Sequence, residues 1–123
     1  MKIVKINDVA YMIEPFKGAK GFKLKHKVLK VLSPAFEKIT AMKDELTNEG
    51  LMVGAIQSIV ESSETEELFD LIVELVSNVK KEDGFIDFDT EFTKNYVTLY
   101  KLVYHVIMEN YGDLFQELGM NVG

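Results

Sequence analysis

Cysteine, arginine and tryptophan are absent from this chain, and only two prolines occur in 123 residues. Without cysteine there are no disulfides and no thiolate metal sites, which is compatible with a reducing compartment. Without arginine the chain lacks the planar fork that makes bidentate contacts to bases and phosphates. No apolar run reaches the roughly 18 residues that a membrane-spanning helix needs. The opening stretch "MKIVKINDVAYMIEP" has its apolar tract broken by Asn7 and Asp8. A secretory signal needs that tract unbroken, so the start reads as mature, cytosolic protein. The two histidines, His26 and His105, have no H-x-x-x-H partner, and neither G-x-S-x-G nor G-x-x-x-x-G-K-[ST] occurs. The chain therefore reads as a non-enzyme that calls for no cofactor and no metal.

Apolar residues make up 47% of the sequence, enough for a real core, and the length suits a single domain spanning 1–123. The net charge of −6 conceals a strong polarity. Residues 1–43 hold ten lysines against three acids, a net of +7, whereas residues 44–123 carry a net of −13. Such a split steers a partner, or is satisfied within the fold or between copies.

Two short β-branched runs, 2–6 and 9–13, flank Asn7-Asp8 and predict a β-hairpin, although the turn lacks the glycine favoured in type I′. Pro15 ends the second strand, and Gly18 and Gly21 offer a change of direction. A helix is expected from about Lys20, with Phe22, Val28 and Leu29 turned inward. Ser33-Pro34 resembles an N-cap with proline at the first helical position and predicts a second helix over about 34–46. Residues 51–62 read as a buried helix. Ser63-x-x-Glu66 fits a capping box before an apolar helix over 68–79. Residues 80–91 read as a loop turning at Asp83-Gly84. The last helix is expected from Asp89 to Tyr111, ended by Gly112, with Phe92, Tyr96, Leu99, Tyr100, Val103, Ile107 and Tyr111 on one face and Lys94, Thr98, Lys101, His105 and Glu109 opposite. The fold class is mainly α: a small bundle of four to six helices over 20–119 behind an N-terminal β-hairpin over 1–16.

Three features invite chemistry. The stretch "KGAKGFKLKHKVLK" at 17–30 carries six lysines and a G-x-x-G, a spacing some RNA-binding loops use. Lys20, Lys23, Lys27 and Lys30 share a helical face, but Lys25 points elsewhere and arginine is missing. That argues against nucleic acid and for a solvated face, or one that meets an acidic surface on another copy. The acids Asp83, Asp87, Asp89 and Glu91 suggest a metal loop, yet an EF-hand starting at Asp87 puts Phe92 at the turn glycine and Thr98 at the bidentate glutamate. Helix capping by Asp87 or Asp89, with Glu91 in the first turn, is the simpler role. Finally, Leu68, Leu71, Leu75 and the six methionines exceed one core face, so they either fill a small core or receive an amphipathic partner.

The order of features resembles the tail assembly chaperones of tailed bacteriophages over about residues 2–119. It rests on the lysine-rich hairpin ending in "IEPFKG", then "KLKHKVLKVLSPAFEKI" and "ELFDLIVELV". Phe88-Asp89-x-x-Phe92 and the closing "ENYGDLFQELG" complete the pattern. The resemblance implies a protein that binds the long, helical, aggregation-prone tape measure protein in the cytoplasm of the infected bacterium. Such a protein keeps the tape measure soluble while tail tube protein assembles around it, and is not expected in the mature virion. A groove between the 68–79 helix and the last helix, lined by Leu71, Leu75, Tyr100 and Tyr104, is the expected client site. Lys20, Lys23, Lys27 and Lys30 are the expected charged contact, with copies associating basic helix to acidic face. A helical phage or bacterial adaptor, or a nucleic-acid-binding regulator, are the competing classes.

Overall fold

The computed structural model describes residues 1–40, 49–62 and 65–117, with side chains at 1–31, 50, 53–61 and 65–112. Strands β1 (Lys2–Ile6) and β2 (Val9–Ile13) form the expected hairpin, Ile6 pairing with Val9 across Asn7-Asp8. Asn7 and Asp8 take φ of 50° and 67°, the left-handed pair that a type I′ turn requires. Asn and Asp tolerate this region through their short polar side chains, which is why the missing glycine does no harm.

The hairpin does not stand alone. Residues expected to form a loop supply β3 (Val79–Lys81) and β4 (Gly84–Phe85), completing an antiparallel meander in the order β1-β2-β3-β4. Ile13 pairs with Val79 and Lys81 with Gly84, whose φ of 117° lets the chain leave the Glu82-Asp83 turn. "Mainly α" is thus too narrow a description. Val4, Ile6, Tyr11, Ile13 and Val79 bury one face of the sheet, and Ile3, Met12, Lys80 and Phe85 form a row across the other. This is the period-2 alternation of a sheet covered on one side only.

Five helices among the described residues complete the core, with α5 packed directly on β1 and β2: α1 (Gly18–Thr40), α2 (Glu49–Ser62), α3 (Glu66–Leu75), α4 (Phe88–Phe92) and α5 (Tyr96–Glu117). Four of their boundaries differ from expectation. First, α1 runs unbroken through Ser33-Pro34 where two helices were expected, and it begins at Gly18, so both glycines of the G-x-x-G lie in its first turn. Its buried stripe is Leu24 and Val28, with Val31 beside them, whereas Phe22 faces solvent at 60% exposure. Of the residues expected to turn inward, Val28 is buried and Leu29 packs against the core, and Phe22 alone faces outward because Leu24, two positions on, takes the inward place.

Second, α3 is capped by Thr65, not by Ser63: the Thr65 hydroxyl accepts from the Leu68 N–H at 3.3 Å. Ser63 and Glu64 fall outside the described residues. Third, α3 ends at Leu75, and the expected helical residue Val79 is a strand residue instead. Fourth, the last helix is two elements. Lys94 at φ 56° breaks the chain after α4, and Asn95 restarts it, its backbone carbonyl accepting from Leu99 N–H at 3.4 Å. Its side-chain carbonyl accepts from the Thr98 hydroxyl at 2.8 Å. Gly112 does not end α5, which continues to Glu117.

The core draws on every layer. Tyr11 from the sheet, Leu24 from α1, Ile56 from α2, Leu68, Leu71 and Leu75 from α3, Phe92 from α4 and Leu102, Val103 and Val106 from α5 are all essentially inaccessible. Hydrogen bonds tie the start of α1 to the end of α5. The Phe16 N–H donates to Asn110 Oδ1 at 2.9 Å, and the Tyr111 hydroxyl donates to the Gly21 carbonyl at 2.8 Å.

Candidate partner-binding surface

The lysine-rich face of α1 lies along α3, the two helices running antiparallel. Lys27 Nζ is 3.7 Å from Glu74, Lys30 Nζ is 3.2 Å from Glu67, and Lys20 Nζ donates to the Ser77 hydroxyl at 3.3 Å. Three of the four lysines expected to form a contact with another copy therefore meet acidic or polar partners on their own chain. Lys23 lines an open groove of about 700 Å³ with Lys20, His26, Lys27 and Glu74. These ion pairs are solvent-exposed, and such pairs contribute at most about 1 kcal/mol each. They set the alignment of α1 on α3 more than they stabilise it.

Of the expected client-site residues, Leu71 and Leu75 are 1% and 0% exposed and belong to the core. The α3 side of the expected groove is closed in this conformation. Its reason is geometric: Leu68, Leu71, Ile72 and Leu75 make a single stripe at three- and four-residue spacing, and that stripe enters the core where α3 packs on α1 and α5. What α3 turns outward is Phe69 and Val73, 44% and 45% exposed.

Tyr100 and Tyr104 are half-buried and sit on one ridge of α5 with Tyr96, each four residues from the next. Tyr96 and its neighbour Val97 are 59% and 58% exposed. Burial, reinforced by Glu61 at the end of α2 and by Tyr96, holds the Tyr100 phenol above its ordinary pKa, so it stays neutral. The opposite stripe of α5 is less polar in its setting than expected. Thr98 is buried, its hydroxyl bonded to Asn95, and Lys101, His105 and Glu109 are only half-exposed.

The acidic segment 83–91 has a structural use. Asp87 holds the N-cap position of α4, its backbone carbonyl accepting from Glu91 N–H at 2.8 Å, but its carboxylate accepts from the Thr90 hydroxyl at 2.7 Å and not from a helix N–H. Glu91 does more than sit in the first turn. Its carboxylate accepts from the Tyr11 hydroxyl at 2.7 Å and pairs with Lys81 Nζ at 2.8 Å, joining β2, β3 and α4. Burial first, and then this hydrogen bond, push the Tyr11 phenol well above its usual pKa; the same carboxylate raises Lys81. No local pattern signals this junction, because Tyr11 and Glu91 are 80 positions apart. Among the described residues no group of three His, Cys, Asp or Glu side chains has metal-holding geometry, and no helix is long and apolar enough to cross a membrane.

These features define a small α and β protein, a helical layer on a four-stranded antiparallel meander, with exposed aromatic residues on helix faces and, at Phe85, on the open face of the sheet. The chain belongs to the phage tail assembly chaperone (TAC) family: the family model described as "Phage tail assembly chaperone protein, TAC" matches residues 7–122, nearly the whole chain. Membership gives it a role in phage tail assembly within the infected cell and implies protein partners there; it suggests a non-catalytic role. No curated protein and no solved structure matches the chain.

Proposed function

We propose that this chain binds the tape measure protein, keeps it soluble in the host cytoplasm, and helps recruit tail tube subunits to it before leaving the assembly. Family membership over residues 7–122 carries this reading. The surface supports it: aromatic side chains stand at helical spacing on α5, where the apolar face of an amphipathic client helix can lie along them. The client contact is assigned to Tyr96, Val97, Tyr100 and Tyr104. Leu71 and Leu75 act beneath it, as the packing that holds α3 in place.

Co-purification tests the reading. Tagged chain expressed with the tape measure protein of the same phage should elute with it as a soluble complex. A tape measure protein that never co-elutes, under conditions where both are made, overturns the proposal.

A further inference from the structure

Two exposed patches on the α1–α3 pair are used neither by the ion pairs between these helices nor by the tyrosine ridge. On α1, Phe22 is 60% exposed, with the His26 ring 5.0 Å away and Lys25 Nζ 4.7 Å from its centroid. On α3, Phe69 and Val73 stand beside Glu66 and Asp70, both exposed. Among the described residues no carboxylate pairs with Lys25, and no lysine pairs with Glu66 or Asp70. Each patch is thus an apolar centre flanked by uncompensated charge of one sign, and the two signs are opposite.

One copy cannot join its own patches. At 100° per residue, Glu67 and Glu74 flank the buried stripe of α3 on the side that meets α1. Phe69 and Val73 flank it on the other side. Phe22 and Lys25 likewise lie away from the Lys20–Lys27–Lys30 seam. The complement of each patch is therefore offered only by a second copy of the chain.

We propose that the α3 face Glu66–Phe69–Asp70–Val73 of one copy docks on the α1 face Phe22–Lys25–His26 of another. The contact is heterologous, because two different faces meet, so it repeats from copy to copy and builds a ring or an open row. Burying the phenylalanines supplies the apolar part, and the flanking charges of Lys25, Glu66 and Asp70 fix orientation and make association sensitive to salt.

Sedimentation of the full chain tests this with two variants at exposed positions, Phe22→Ser and the double Phe69→Ser/Val73→Ser, each checked by circular dichroism for an unchanged fold. The wild type should form dimers and larger species at about 50 mM salt and lose them as salt rises toward about 1 M, where the screening length shrinks to a few ångströms. Each variant alone should be monomeric. A one-to-one mixture should give dimers and nothing larger, since it contains one intact face of each kind. A wild type that stays monomeric at millimolar concentration in low salt overturns the proposal. So does a mixture that remains monomeric, or a variant that self-associates like the wild type. If the wild type is monomeric and both variants lose the tape measure protein, these faces belong to the client and not to a second copy.

Discussion

Glu91 carries more of the fold than any other charged residue described. Its two oxygens take the Tyr11 hydroxyl and the Lys81 ammonium at 2.7 and 2.8 Å, and its side chain is only 12% exposed. Glu91→Ala leaves the Tyr11 hydroxyl buried without its acceptor, which costs about 1–3 kcal/mol. Glu91→Gln keeps an acceptor and should cost less. Urea unfolding of the two variants checks the order. Tyr111 gives a second test at this scale. Burial, with a further push from Glu74, raises its pKa to about 12, above the unfolded value of 10.0. The folded state therefore holds a proton that the unfolded state releases, so this contribution is complete below pH 10 and is lost as pH rises toward 12. Melting temperatures across that range should fall less steeply for Tyr111→Phe than for the wild type, with Tyr11 supplying a remaining slope of the same sign. Neither role was legible in the sequence. Glu91 sits in a run of acids that suits helix capping equally well, and its partners on β2 and β3 arrive only through the sheet.

At the scale of elements, legibility followed the strength of local signals. The hairpin was legible to the residue, because alternation over 2–6 and 9–13 and the Asn7-Asp8 turn all agree. The β3–β4 pair was not: three and two residues are too few to show a period, and both strands depend on β2 for pairing. Thr65 and Ser63 are both competent N-caps, and packing of Leu68 and Leu71 selects the later one. In α1, Ser33-Pro34 has the signature of a helix start, yet the backbone continues through it. The two arrangements make opposite demands on Pro34. Within a continuous helix it withholds an N–H from the carbonyl four residues earlier, so Pro34→Ala should stabilise, by up to about 3 kcal/mol. At the first position of a separate helix the same change would be neutral or slightly harmful. Thermal unfolding of Pro34→Ala decides by the sign of the shift.

For the molecule as a whole, part of the uneven charge is met internally. The basic α1 and the acidic α3 meet along one seam through Lys27–Glu74 and Lys30–Glu67, which leaves only the outward charges of each helix for other partners. The sequence showed the polarity but not its direction, since the pairing residues are 37 or more positions apart. The placement of the residues expected at the client site was legible in part. Tyr100 and Tyr104 lie on a half-buried ridge, whereas Leu71 and Leu75 are sealed in the core, and a one-dimensional pattern does not say which of two apolar stripes the neighbouring helices will cover. That distinction gives the most direct test of a chaperone that works through the α5 surface. The measurement is the soluble fraction of the tape measure protein when it is co-expressed with this chain, with Tyr96→Ser/Val97→Ser, or with no chaperone. The wild type should raise that fraction severalfold over the empty control, and the double variant, still folded because both positions are more than half exposed, should lose most of the gain. A tape measure protein equally soluble in all three would contradict the proposed function, and one rescued fully by the variant would remove the α5 ridge as its binding site.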